Sequence, residues 1–399
     1  MTELNLAAPP APTMLAGFLS SAVPQPLSAV YLGVLTPVEL DARPSEIEAL
    51  VSAAAVHDLG WLRRVSVRGK DRFRWLSGMV TNMVKDLTPD TGAWNLVLNA
   101  QGRVQGDLAV WRQPPQRQEP VSTTPRNETS SLGTPVAGEP RENDDLELEL
   151  TAVQADKLLP HLDRFIIMDD VEFVPLEGET AVGLTGPKAA EVLARLGLPA
   201  PPEPFQQARA EWNGIQLLVR RLYGILSGHY ALWVPAAQAA DLWQALAAAG
   251  AHPVGSAALE AFRIAEGIPL YGVDMTERDL PLETSQMRAL HFDKGCYIGQ
   301  EIVERIRSRG NVHRHLRSLE LAGPLPEAGT QVSLEGAEAG YITSAAELPL
   351  GGQTRIFAIG MIRGDAEARN LPLNYSVGET SGSASILPDL PPLVPGVER

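Results

Sequence analysis

One cysteine in 399 residues, Cys296, leaves no partner for an intrachain disulfide. It also supplies too few thiolates for a zinc or iron–sulfur site built from this chain alone. Thiol poverty of this kind suits a reducing compartment, and a cytoplasmic location is the expectation. Basic residues are short as well: 33 Lys and Arg stand against 48 Asp and Glu, a formal charge of -15. Long-range repulsion then disfavours general binding to nucleic acid or to an anionic membrane. No apolar run reaches the roughly 20 residues that span a bilayer. The first residues carry no basic stretch ahead of their weakly apolar segment, so neither a membrane span nor a secretory signal is expected. What the chain does have is core-forming material, 44% hydrophobic residues, and enough length for two or three domains.

Residues 1–44 are rich in Ala, Pro and Leu without a clear period and read as an extended N-terminal arm. Ser45 and Glu48 then make a capping box ahead of Ile47, Leu50 and Val51. Val65–Gly69 reads as a strand and Lys70–Met79 as a short amphipathic helix. Asn95–Asn99 and Val104–Trp111 pair as a hairpin, with Gly102 at the turn position that needs a positive φ. Residues 113–145 hold six prolines among Ser, Thr and mixed charges, too little apolar surface to order a chain, and read as a disordered insertion. Leu146-Glu-Leu-Glu-Leu150 alternates strictly, as a half-buried strand does. Helices are expected over 235–249, 257–265 and 302–309, each stopped by a glycine. Beyond residue 315, short β-like runs separated by Gly/Pro turns predict a small closed β domain over 313–382, with a loose Pro-rich tail over 383–399.

The stretch richest in chemistry is Lys294-Gly-Cys-Tyr-Ile-Gly-Gln-Glu301, which leads into a helix. Two glycines flank the thiol, permitting a tight turn and close approach by another molecule. Helix N-terminal amides and Lys294 would both favour the thiolate, making Cys296 a candidate reactive group with Lys294 as its tuner. The window 283–317 gathers seven Lys and Arg (Arg288, Lys294, Arg305, Arg307, Arg309, Arg314 and Arg317) against four acids, a local basic patch suited to an acidic partner or a weak tRNA contact. The spacing of His313, His315 and Cys296 fits no standard metal site.

The octet resembles the signature of the YgfZ-type folate-binding proteins, whose mitochondrial relatives act in iron–sulfur protein maturation. Arg263-Ile-Ala-Glu-Gly-Ile-Pro-Leu-Tyr-Gly-Val-Asp274 resembles a segment these proteins share with the glycine cleavage T-protein, an aminomethyltransferase. Val67–Leu76 with Thr81-Asn82, and Leu98–Leu108, are similar to the early strand–helix unit and glycine hairpin of the same superfamily. The resemblance implies an α+β fold with three modules in a clover leaf around a central folate cavity. Two interleaved modules would occupy 45–312, and the last module would be the C-terminal β barrel. It implies tetrahydrofolate as ligand, iron–sulfur assembly or client proteins as partners, and a role in iron–sulfur enzyme maturation with an indirect effect on tRNA modification. The alternative is tetrahydrofolate-dependent aminomethyl transfer. By the same resemblance Asp107 stands where an aspartate serves one-carbon transfer, and Cys296 acts at the cavity mouth with Lys294. Arg263 faces the cavity to grip a folate carboxylate, or else forms a structural ion pair with Glu266 or Asp274. Tyr223 and Tyr271 contact the ligand, with Tyr271, Gly272 and Asp274 forming a turn beneath it. T-proteins place a pterin-holding glutamate in a segment matched here by Arg221–Tyr230, which has no acid. That absence and the presence of Cys296 place the chain on the YgfZ side.

Overall fold

The computed structural model describes residues 10–22, 27–114, 145–310, 312–350 and 352–387. Three β units organise them. A five-stranded antiparallel sheet runs in the order Thr91–Leu98, Val104–Arg112, Leu146–Thr151, Leu62–Arg68, Glu172–Pro175. A six-stranded sheet runs Gln207–Trp212, Ile215–Leu222, Gly228–Pro235, Glu179–Gly186, Ala55–Asp58, His252–Val254, its last pair parallel. The chain enters the six-stranded sheet at Ala55–Asp58 before it enters the five-stranded one at Leu62–Arg68, so the two units interleave. The third unit is a closed six-stranded barrel made of Arg314–Ala322, Gln331–Leu334, Ala337–Leu350, Gln353–Arg363, Leu373–Val377 and Thr380–Ile386. No helix among the described residues is long and apolar enough to cross a membrane.

Helices cover the sheets where their apolar stripes demand it. Arg72–Met79 and Ala152–Asp163 bury Phe73, Leu76, Leu158 and Leu162 against the five-stranded sheet. Ala189–Arg195 and Ala239–Ala248 bury Val192, Leu193, Leu242 and Leu246 against the six-stranded one. Ser256–Glu266 is buried on nearly every side and ends at Gly267 in the left-handed conformation that glycine adopts without strain. It packs Phe262 and Ala265 onto Leu348, Phe357 and Met361 of the barrel, joining the third unit to the rest.

Several expectations change. Residues 10–22 and 27–44 do not form an extended arm. They fold as the helix Ala16–Ala22 and the hairpin Ser28–Tyr31/Val34–Pro37, with Leu15, Leu19 and Val34 buried in the body of the protein. No Ser45–Glu48 capping box forms. The helix begins earlier, at Arg43 with Pro44 in its first turn, and the fully buried Glu46 accepts the amide N–H groups of Leu40, Asp41 and Gly255. The tail starts later than residue 383, because the last barrel strand runs to Ile386 and Leu387 N–H donates to Ser318 O. The expected disordered insertion lies outside the described residues over 115–144, as does the tail from 388.

Leu146–Leu150 is a strand, but it is buried on both faces. Its glutamates turn from solvent to the other sheet. Arg220, with no exposed surface, pairs with Glu147 and with Glu149 at 2.8 Å. Arg64 holds Glu147 at 2.9 Å and reaches Glu179. Trp233 Nε1–H donates to Glu149 at 3.0 Å. The alternation is therefore apolar on one side and ion-paired on the other, which pins the two sheets in register.

His57 is similarly buried, its Nε2 2.9 Å from Thr185 Oγ1. Burial, aided by nearby His229, pushes its imidazole down to about 3 from an ordinary 6.5. Between those values the unfolded chain binds the proton that the folded chain refuses, so stability falls as pH drops through that window, by at most about 1.4 kcal/mol per pH unit. Urea denaturation at pH 7 and pH 4 should show His57→Gln losing less stability on acidification than wild type. Equal losses would assign the acid sensitivity elsewhere.

Candidate functional site

The strands Thr91–Leu98 and Val104–Arg112 are in a register that pairs Leu96 with Asp107. Side chains alternate along a strand, so Trp94 is a diagonal neighbour of Asp107 on one face. Trp94 Nε1–H donates to Asp107 Oδ2 at 2.8 Å. From the helix Ala152–Asp163, Gln154 donates Nε2–H to Oδ1 at 2.9 Å and accepts Asp107 N–H on its own Oε1 at 2.8 Å. The carboxyl plane is thereby fixed. Burial pushes Asp107 above the usual carboxylate range, against the opposing pull of these hydrogen bonds and of Arg288.

Arg288 is central to the cluster. Its guanidinium lies 3.6 Å from the Tyr223 ring centre and 4.7 Å from that of Trp94. Burial lowers its pKa, while the charges of Tyr223, Asp107 and Glu266 act to raise it. Tyr271 stands nearby, its hydroxyl accepting from Lys157 Nζ at 2.8 Å. At the end of its helix, fully buried Glu266 accepts the amide N–H groups of Ile225 (3.1 Å) and Leu226 (2.9 Å) on one oxygen. Its other oxygen lies 2.8 Å from His229 Nε2. The acid absent from Arg221–Tyr230 is thus supplied to that loop from a different helix. Among the buried polar atoms here, Ser227 Oγ and Arg288 Nε have no hydrogen-bond partner among the described residues. Such atoms are rare in folded proteins and mark places where a ligand's polar groups can be received.

The structure divides the expected site residues into two groups. Asp107, Tyr223 and Tyr271 come together around Arg288 and Trp94. Arg263 does not join them. Its guanidinium pairs with Asp274 at 2.7 Å and forks onto Glu260, and it also donates to Ile268 O at 2.7 Å and to Ser344 at 3.3 Å. The partner is Asp274 rather than Glu266, and no donor is spare for a ligand carboxylate. Arg263 ties its helix to the 270–274 turn and to the barrel.

Lys294 also has a different role from the expected one. Its ammonium is buried and donates to the carbonyls of Ser77 (2.8 Å), Val80 (2.6 Å) and Asn82 (2.8 Å). An ammonium has three N–H groups, so none is left to tune Cys296. Burial, with Lys85 nearby, pushes Lys294 down to about 7. Cys296 itself is exposed, and the helix that follows begins only at Gln300. Gly299 serves a close approach, but to this chain's own hairpin. A Cβ there would lie 2.7 Å from Asn99 O and 3.0 Å from Gly102 Cα.

The basic patch largely dissolves. Arg288 and Lys294 face inward, Arg314 pairs with Asp279 (2.9 Å) and Glu283 (3.0 Å), and Arg317 pairs with Glu367 (2.6 Å). Arg305, Arg307 and Arg309 remain outward on Gln300–Arg309, with Arg307 lying over Phe292. Trp94, Gln154, Glu266 and His229 were not picked out as site residues from the sequence. Only Trp94 had a usable signal there, its two-residue offset from the strand position opposite Asp107.

Residues 141–294 match the GCVT N-terminal domain. The aminomethyltransferase of Geobacillus kaustophilus is 26% identical over 362 residues, covering 88% of this chain and 91% of that protein. The aminomethyltransferase of Chlorobium chlorochromatii is 28% identical over 283 residues, covering 68% and 69%. The crystal structure of glycine cleavage system aminomethyltransferase T from Bartonella henselae superimposes with a TM-score of 0.77 at 18% identity, covering 96% of this chain and 97% of that one. With the two interleaved sheets and the closed barrel, the chain has the fold of that aminomethyltransferase T, and its residues 141–294 are similar to the GCVT N-terminal domain.

Proposed function

We propose that the cluster around Asp107 binds tetrahydrofolate and that the chain transfers an aminomethyl-derived one-carbon unit to it. The observation that carries this reading is the fixed, half-buried carboxyl of Asp107 beside the stacked trio Trp94–Arg288–Tyr223. The residues fit a reduced pterin: flat walls for its ring, and the unpartnered Ser227 Oγ and Arg288 Nε for its polar edge. When bound, tetrahydrofolate would supply the two nitrogens that take up the methylene, their two protons leaving with the released carrier thiol and ammonia. The protein's part is positional and acid–base. Asp107, raised by burial, can hold a proton at one oxygen while Trp94 and Gln154 fix its plane. Glu266 holds the 225–226 amides, keeping the Tyr223 loop against Arg288. The names of the relatives support the same activity.

A second reading, service to iron–sulfur enzymes as in the YgfZ-type proteins, is favoured by one observation: the only thiol is exposed in the signature octet. One experiment separates the two. Purified protein is given an aminomethylated lipoyl carrier protein with and without tetrahydrofolate, and ammonia is measured. Folate-dependent release that survives Cys296→Ala supports transfer. No release, together with an iron–sulfur enzyme defect in deletion cells that wild type but not Cys296→Ala repairs, overturns it in favour of maturation.

A further inference from the structure

Beyond the Asp107 cluster, a cavity of about 620 Å³ opens between the barrel and the 285–286 turn. We propose that it is a second ligand site, for a free α-amino acid with an aliphatic side chain. Three features of its lining lead there.

The first is an acceptor without a donor. Gln286 is 9% exposed, its Nε2–H donates to Thr284 O, and that bond fixes the amide so that Oε1 is left over. Oε1 is buried and has no partner among the described residues, although the residue lines the cavity. A buried, unpaired carbonyl costs on the order of 1–3 kcal/mol, and an incoming N–H relieves it.

The second feature is a pair of opposite fixed charges. Arg317 donates Nε–H to Glu367, and one terminal nitrogen to Ser285 Oγ and Leu316 O. Its other terminal nitrogen has no hydrogen bond among the described residues, which leaves N–H groups for a carboxylate. Glu367, also held by His315, presents the negative counterpart. A simple anion would meet Glu367 and a simple cation would meet Arg317. A zwitterion satisfies both, its carboxylate on Arg317 and its ammonium on Gln286 Oε1 beside Glu367.

The third feature is the remaining wall, formed by Leu316, Ile359 and Ile386. These give an aliphatic side chain apolar surface to cover. The volume lies within the range of ordinary small-molecule sites and holds such an amino acid with water to spare.

The test is calorimetric titration of the full chain with L-leucine, 4-methylpentanoate, which lacks the ammonium, and 3-methylbutylamine, which lacks the carboxylate. L-Leucine should bind, and each truncated analogue should bind at least roughly tenfold more weakly. Ser318→Phe, which fills the cavity from its lining, should remove binding, and Gln286→Leu should weaken it by roughly tenfold. Thermal unfolding of each variant reports whether it is folded, and either folded variant suffices. No heat with L-leucine, equal affinity for the truncated analogues, or unchanged affinity in a folded variant would each overturn the proposal. None of these readouts depends on folate binding or on transfer.

Discussion

Asp107→Asn is expected to lower aminomethyl transfer by roughly 10²–10⁴ while tetrahydrofolate still binds. The substitution keeps the shape and removes the exchangeable proton site. It also puts an amide N–H where the native carboxylate accepts from both Trp94 and Gln154. Gln154 cannot simply turn over, because its Oε1 already accepts Asp107 N–H. One donor must therefore face another, at a stability cost of about 1–3 kcal/mol. Trp94→Phe is the control: it removes one donor to the carboxyl and leaves the carboxyl itself. Initial-rate measurements should place Trp94→Phe much nearer to wild type than Asp107→Asn. Full activity in Asp107→Asn would make the carboxyl a strut of the hairpin and leave the proposed chemistry without its acid–base group.

The largest loss of stability is expected from Arg220→Met, about 3–5 kcal/mol by urea denaturation. Arg220 has no exposed surface and is the only one of the two arginines in its network to reach Glu149. Without it, among the described residues, Glu149 keeps only the Trp233 indole N–H, and Glu147 keeps only Arg64. A buried carboxylate with so little compensation is far more costly than the same volume filled by hydrocarbon. Arg220→Met combined with Glu149→Leu should therefore recover much of the loss, because it removes the stranded charge together with its partner. A double variant no better than the single one would show that packing around Trp111, over which Arg220 lies at 4.5 Å, carries the effect.

These two sites illustrate what a sequence discloses and what it withholds. The octet, the glycine hairpin and the β-rich C-terminal run were legible because each is local: turn glycines and short apolar runs are written into consecutive residues. Asp107 was singled out through its place beside that hairpin, and the structure sets it against Trp94 and Gln154. Leu146–Leu150 was legible as a strand, but its glutamates faced a second sheet, and alternation cannot distinguish solvent from an ion-paired interface. Arg263 and Lys294 were misassigned for one reason. A basic residue beside a motif looks available until its acceptors are known, and those acceptors come from Glu260, Asp274 and the carbonyls at 77–82. Arg288 looked like one more surface charge, because its stacking partners lie near positions 94 and 223, far from it in sequence. The N-terminal residues were read as an arm because their apolar groups, without a period of their own, dock on surfaces built elsewhere.

The contact between the two glycine motifs reaches further than packing. Gly299 leaves no room for a side chain against Asn99 and Gly102, and a Cβ on Gly102 would lie 2.8 Å from Ile302 Cβ. The turn that carries Cys296 is therefore welded to the hairpin whose second strand carries Asp107. The joint lies three residues from the thiol and at the turn of the hairpin, so it couples the placement of one motif to the other. A side chain at either glycine would push the two turns apart and shift the thiol relative to the carboxyl.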